Sequence, residues 1–270
     1  MVLSLPAEFQ IYDDPAKGSI TVSKADSGQY YLLTFGAPPD NRLTPEICLA
    51  FLYVLDVIED QLLPEQKLPL VTTSKIAKFY SNGLDLERAM TTPGFWDERI
   101  NPLFKRLLEY PTPLVAMING HAFAGGFMFA LCHDYRIMNP DKGFLCANEL
   151  EFGSPLPPPM SAIFREKTAV TTYQKIAIEA TRFNADMALE HNLIHAKGHL
   201  SDVDAFIKAN KLTKFAQSPS YGLLKAQMWR DIVKYCDEPH EQGQQAIRDN
   251  ISVEEKRKKV RADEYKKAKL

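Results

Sequence analysis

A chain of 270 residues has room for one large domain, or for a domain with a smaller helical appendage. Hydrophobic residues at 45% and charged residues at 24% are ordinary for a globular protein, and a formal net charge of −2 gives no reason to expect nucleic acid or an acidic membrane as partner. No apolar run approaches the ~18 residues of a membrane helix, and four cysteines without C-x-x-C spacing, Cys48, Cys132, Cys146 and Cys236, read as reduced thiols of an intracellular protein whose start shows no signal or transit pattern.

In chain order, the β-rich runs 18–25 (GSITVSKA) and 29–36 (QYYLLTFG) flank Asp26-Ser27-Gly28 and predict a hairpin. Thr44 as N-cap, with Pro45 and Glu46 behind it, opens a helix that Leu49, Leu52, Leu55 and Ile58 carry to about Leu63. Residues 67–74 read as a short buried strand, 94–109 as a second amphipathic helix stopped by Pro111 and Pro113, and 114–118 (LVAMI) as another buried strand. Strands alternating with helices in this way predict an α/β fold with parallel strands joined by crossovers. From Leu156 onward the pattern turns helical, and no strand candidate reappears after about residue 152. The expected division is a core over 1–200 and a helical region over 201–270. The densely charged tail from Asp237 reads as a solvated helical face, and it ends in Ala268-Lys269-Leu270, one small-residue change from the S-K-L peroxisomal address.

Three segments carry the chemistry. The stretch 119–136 (NGHAFAGGFMFALCHDYR) follows a buried strand with a small-residue turn and then an apolar helix. Glycine allows close approach to the main chain, and the unpaired N–H groups at a helix start attract an oxyanion or a phosphate. No Gly-Lys-Ser/Thr follows and G-x-G-x-x-G is absent, so the P-loop and dinucleotide readings fail; close helix packing is the bland alternative. A second turn, Asn82-Gly83 within 78–87, also follows a buried strand and presents the N–H of Leu84. Two such turns on neighbouring strands can converge on one oxygen, as an oxyanion hole requires. The third segment, 143–159, sets Glu149 among Phe144, Leu145, Leu150 and Phe152, an apolar setting that raises a carboxylate's pKa and suits proton transfer near neutral pH. Glu151, two residues on, reads as a surface acid or one behind the site; in an extended segment it would share the side of Glu149, which leaves a two-carboxylate site as the alternative.

In this order, SNGLDL (81–86), INGHAFAGGFMFALCHDYRI (118–137) and NELEFG (148–153) resemble the crotonase (enoyl-CoA hydratase/isomerase) superfamily, and ADMALEHNLI (185–194) is similar to its helix-and-turn segment, with Asn192 in the place of the usual glycine. The resemblance spans roughly residues 18–200. It implies a spiral of parallel β-strands and helices with a helical C-terminal region used for homotrimer or dimer-of-trimers contacts. It also implies an acyl-CoA thioester as substrate, with coenzyme A carried by that substrate and no metal or other cofactor.

Carried over by motif, the oxyanion hole is the backbone N–H of Leu84 and of Gly126, with Asn82, Gly83, Gly125, His121 and Phe127 as substrate-binding residues. Hydratases of the family use two glutamates; the first belongs where this chain has Met128, which cannot exchange protons, and the second is Glu149. One carboxylate suffices for another reaction, C2-to-C4 proton transfer in a 3-enoyl thioester, and the apolar Phe127, Met128 and Phe129 would help exclude water. The pattern is similar to the peroxisomal Δ3,Δ2-enoyl-CoA isomerases of plants and fungi, which makes a peroxisomal location and its import receptor the expected setting. A thioesterase or hydratase of the same superfamily and a non-catalytic acyl-CoA binder stay open.

Other candidates are weaker. His191 and His195 have the spacing of a metal pair without the Glu of H-E-x-x-H. His121 reads as orienting its loop or touching CoA. Asp134 and Arg136 read as an ion pair at a strand start; Lys225 and the basic tail are open as contacts for CoA phosphates, with ordinary surface lysines as the alternative, and neither is assigned that role.

Overall fold

The computed structural model describes residues 3–268. Its larger sheet runs, in spatial order, β1 (Ala7–Gln10), β2 (Ser19–Lys24), β3 (Tyr31–Gly36), β4 (Leu70–Ser74), β6 (Leu114–Ile118), β8 (Tyr135–Met138) and β10 (Ala196–Lys197). The first three strands are antiparallel, with Lys24 opposite Tyr31 in the expected hairpin, and every pairing from β3 outward is parallel. A second sheet of three parallel strands holds β5 (Phe79–Ser81), β7 (His121–Phe123) and β9 (Leu145–Cys146). This is the α/β architecture that strand–helix alternation implies.

Both β4 and β6 are buried at every residue, because helices or the second sheet cover both faces, which explains why neither alternates in sequence. The helix Pro45–Gln61 starts as expected, with the Thr44 hydroxyl accepting from the Ile47 N–H at 3.3 Å. It packs Phe51 between Phe35 of β3 and Phe129 of the helix Gly125–Leu131, at ring separations of 5.0 and 5.1 Å. That last helix is buried at every position, so its lack of any acid or base is first a consequence of lying inside the core.

Several expectations need correction. The helix over 94–109 is interrupted: a π turn at Trp96–Ile100 precedes the α-helix Asn101–Glu109, with the Asn101 N–H bonding to Trp96 O and Pro102 having no N–H to continue the regular ladder. A strand does occur after residue 152, since β10 pairs with β8 for two residues, too few for any periodicity to announce it. It follows the turn at Asn192, which takes a left-handed φ of 56° as its place in the helix-and-turn segment suggested. Asp134 pairs with Lys225 at 3.0 Å, not with Arg136, whose guanidinium donates to the carbonyls of Leu193 and His133. Lys225 is therefore buried under its own chain and unavailable to a CoA phosphate. His191 and His195 serve separate partners, Thr172 and the Arg136 N–H.

All four cysteines are free and buried. Among the described residues no helix is long and apolar enough to cross a membrane. Beyond Lys197 the described chain is helical, ending in His240–Ala268; Lys269 and Leu270 of the tail tripeptide lie outside the described residues.

Candidate active site

The three-stranded sheet explains why three distant segments meet. Its strands are parallel, with Ser81 opposite Ala122 and Phe123 opposite Cys146, so the chain leaves all three at the same end. The chain runs from β5 into Asn82-Gly83-Leu84, from β7 into Ala124-Gly125, and from β9 through Ala147 into Asn148-Glu149. Ligands in open parallel sheets bind at such carboxyl ends.

The two glycine turns touch. A Cβ added to Gly83, whose φ is +85°, would lie 2.8 Å from Phe123 O and 3.1 Å from the Gly125 nitrogen, and one added to Gly125 would lie 3.4 Å from the Leu84 nitrogen. Only glycine lets the two backbones come this close. Ala124 also takes a positive φ, 46°, held there by its N–H donating to Cys146 O at 2.7 Å. Its own carbonyl is the first acceptor of the helix, for Phe127 and Met128 at 3.0 and 3.2 Å, so the N–H groups of Gly125 and Gly126 precede the helical ladder.

Of these two, Gly125 lines a cavity of about 520 Å³ together with Leu84 and Ala124, whereas Gly126 is pressed onto β5, where a Cβ would stand 2.3 Å from Ser81 O. Beside Leu84 the cavity lining thus holds Gly125 and not Gly126, the residue that the sequence reading assigned. Asn82 also lines the cavity and donates to Asp40 at 2.7 Å, beside the Arg42–Asp40 pair at 3.3 Å.

Glu149 opens the single helical turn Glu149–Phe152, closed by Gly153 at φ 72°. Among the described residues it is the only carboxylate in the cavity lining. Burial pushes its pKa up to about 7, its Oε2 is buried without a hydrogen-bond partner, and no positive side chain offsets the desolvation. The apolar surroundings differ from those the sequence suggested. Of the residues suggested, Phe152 lines the cavity, Phe144 and Leu150 are exposed, and Leu145 is buried outside the lining; Leu84, Leu86, Trp96, Leu156 and Met160 supply further apolar wall. Glu151 is exposed with Arg182 at 3.7 Å, the surface acid that the sequence favoured; in a helical turn residues two apart point ~200° apart, which sets aside the two-carboxylate alternative.

Three other assigned residues, Gly83, His121 and Phe127, are not in the cavity lining; Gly83 instead backs the contact with Gly125 described above. His121 is half-buried among the rings of Phe79, Phe123 and Phe144, which fits loop orientation, and burial lowers its pKa. Phe127 is fully buried against Phe164 at 5.3 Å, and Met128 and Phe129 are fully buried as well, so none of the three side chains shields the cavity from water. Conversely, sequence reasoning missed Trp96, Met160 and the first turns of the helix His240–Ala268, which bring His240 and Gln244 into the lining. The one available signal was Gly243, a glycine inside a long charged helix. It allows the helix to close on Pro158, whose Cγ would be 2.9 Å from an added Cβ.

A family model described as enoyl-CoA hydratase/isomerase matches residues 28–263. Among relatives, enoyl-CoA delta isomerase 3 of Arabidopsis thaliana is 29% identical over 180 residues, 64% of this chain and 74% of that protein. The peroxisomal enoyl-CoA delta isomerase 1 of the same plant is 26% identical over 226 residues, covering 81% and 93%. An apo enoyl-CoA isomerase of Mtb shares the fold with a TM-score of 0.69 at 22% identity, over 80% of this chain and 93% of the other. An enoyl-CoA hydratase/isomerase family protein from Pseudomonas syringae gives 0.70 at 19% identity, over 84% and 96%.

Proposed function

The chain belongs to the enoyl-CoA hydratase/isomerase family, and from that premise we propose that it shifts the double bond of a 3-enoyl-CoA thioester into conjugation, giving the 2-enoyl thioester. The observation that carries this reading is a single unpaired carboxylate, Glu149, with its pKa raised to about 7, in an apolar cavity beside two adjoining backbone turns. A base that is half ionised near neutral pH both takes and returns a proton readily.

In the proposed reaction, a Glu149 oxygen removes a proton from C2. The electron pair moves onto the thioester oxygen, which the N–H groups of Leu84 and Gly125 stabilise as an enolate. The protonated Glu149 then delivers the same proton to C4 while the C3–C4 double bond becomes C2–C3. The proton count closes, and no water or external reductant is consumed. Support against hydration comes from Met128, which occupies the place of the hydratases' first glutamate and is sealed in the core. The relatives named delta isomerases point the same way.

The test is to mix the protein with a 3-enoyl-CoA and follow the conjugated thioester by its ultraviolet absorbance, with Glu149→Gln alongside. Conversion by the native protein that the variant lacks supports the reading. Equal conversion by both moves the base elsewhere. Thioester hydrolysis, or tight binding without any conversion, would instead favour a thioesterase or a non-catalytic acyl-CoA binder. A peroxisomal setting and a homotrimer or dimer of trimers belong to the same proposal. The first is supported by the names of two peroxisomal relatives. The second is supported by the apolar exposure of Leu223, Leu224 and Met228 on one helix.

A further inference from the structure

His240 and Gln244 stand one helical turn apart at the start of the C-terminal helix, and both line the cavity. His240 is held at its ring and at its backbone. Its ring lies flat on Trp96, with centroids 4.3 Å apart and planes within 4°, and the His240 backbone N–H donates to Asp97 Oδ1 at 2.8 Å. Burial lowers the ring's pKa, against the smaller upward pull of Asp97 and Glu241. Nδ1 is buried without a partner, and among the described residues no hydrogen bond reaches Nε2 or the Gln244 side-chain amide. Around them the wall is apolar, made by Leu86, Trp96, Leu156 and Met160.

This is a poor wall for a plain alkyl chain. Such a chain would strip water from an imidazole nitrogen and an amide and return no hydrogen bond to either. We propose that His240 and Gln244 form a polar subsite for a hydroxyl group carried by the acyl chain beyond the reacting carbons, so that hydroxylated acyl-CoA thioesters are the preferred ligands. The inference rests on the acyl-CoA reading of the cavity. A hydroxyl both donates and accepts, and so do the two side chains between them. A carboxylate would find no free cation among the described residues of the lining, since Arg42, the one Lys or Arg there, is tied to Asp40.

The test uses saturated ligands, which bind but cannot isomerise. Calorimetric titration compares a medium-chain acyl-CoA with counterparts hydroxylated at successive carbons beyond C4, on the native protein, His240→Phe and Gln244→Leu. The phenylalanine keeps a ring on Trp96, and the leucine variant stands as an independent probe if the first fails to fold. The expected result is a Kd at least about tenfold lower for one hydroxyl position than for the parent chain, with that ratio falling to about threefold or less in each variant. Equal or weaker binding of every hydroxylated chain overturns the subsite, as does a preference that survives both substitutions. Loss of isomerisation with the hydroxyl preference intact would remove the isomerase reading alone. No binding of any acyl-CoA would remove both.

Discussion

Two buried polar regions of this molecule are handled in opposite ways. Behind β8, Asp134 accepts from the Leu114 N–H, Lys225 and Tyr221, while His133 bonds to Thr72 and to Phe129 O, and Thr72 bonds on to Tyr80. Each of these groups has a protein partner. At the end of the three-stranded sheet, Glu149 Oε2 has none, and the turns at Leu84 and Gly125 supply backbone donors ahead of any helical acceptor. Both regions shift pKa values: burial takes His133 down to about 3 and Glu149 up to about 7. A shifted pKa therefore does not separate the two. The distinction lies in whether the buried polar group is already paired.

The comparison predicts that substitutions at the two places fail differently. The largest effect belongs to Glu149→Gln, which should lower isomerisation by roughly 10³–10⁴-fold yet leave the fold intact. Its folded-state pKa is raised above that of the unfolded chain, so the folded state binds more protons between the ordinary value of 4.5 and about 7 and loses stability as pH rises through that window. The glutamine variant should accordingly be more stable than the native protein at pH 7, by up to about 3 kcal/mol, as read from denaturant midpoints. A variant that loses stability instead would place Glu149 with the paired cluster.

Asp134→Ala should show the reverse. It leaves Lys225 buried without its carboxylate, at a cost of about 3–5 kcal/mol, while turnover per folded molecule is retained. Chemical denaturation and active-site-normalised rates separate the two readouts.

Gly125→Ala sharpens the choice between neighbouring glycines. Its Cβ would press on Leu84 at 3.1 Å and spread the two turns, for an expected loss in kcat of roughly 10- to 100-fold. Gly126→Ala meets the Ser81 carbonyl and should act on stability first. If Gly126→Ala folds normally and loses kcat while Gly125→Ala does not, the donor returns to Gly126. The smallest effect is the pH profile. The rate with a 3-enoyl-CoA should rise with pH and level off above about 7, because only the ionised Glu149 accepts the C2 proton. A profile flat from pH 5 to 8 would remove Glu149 as the base.

Much of the site is readable in the sequence because its determinants are local. Asn82-Gly83, Ala124-Gly125 and Glu149 each lie just past a short strand, and glycine turns announce themselves in a few residues. Which of the two glycines reaches the cavity is not readable in this way. Choosing Gly125 over Gly126 depends on which one is pressed against Ser81, more than forty positions away in the chain. The two-carboxylate alternative at Glu151 falls for a related reason, since one helical turn in place of an extended segment swings that residue to the surface, where the favoured reading had it. Trp96, Met160, His240 and Gln244 reach the cavity from three separate helical segments, and no spacing within any of them encodes that meeting. The interruption at Trp96–Ile100 is in principle visible in Pro102, whose missing N–H disrupts the ladder.

The division of the site between main chain and side chain bears on how the protein can change over generations. Leu84 and Gly125 offer peptide N–H groups, which no exchange of side chain deletes so long as the turns keep their shape. In the proposed reaction, proton transfer rests on the identity of one residue, at position 149. A single codon change there would abolish turnover while leaving the cavity and its donors in place. Enzyme and silent acyl-thioester carrier would then stand one mutation apart on the same scaffold.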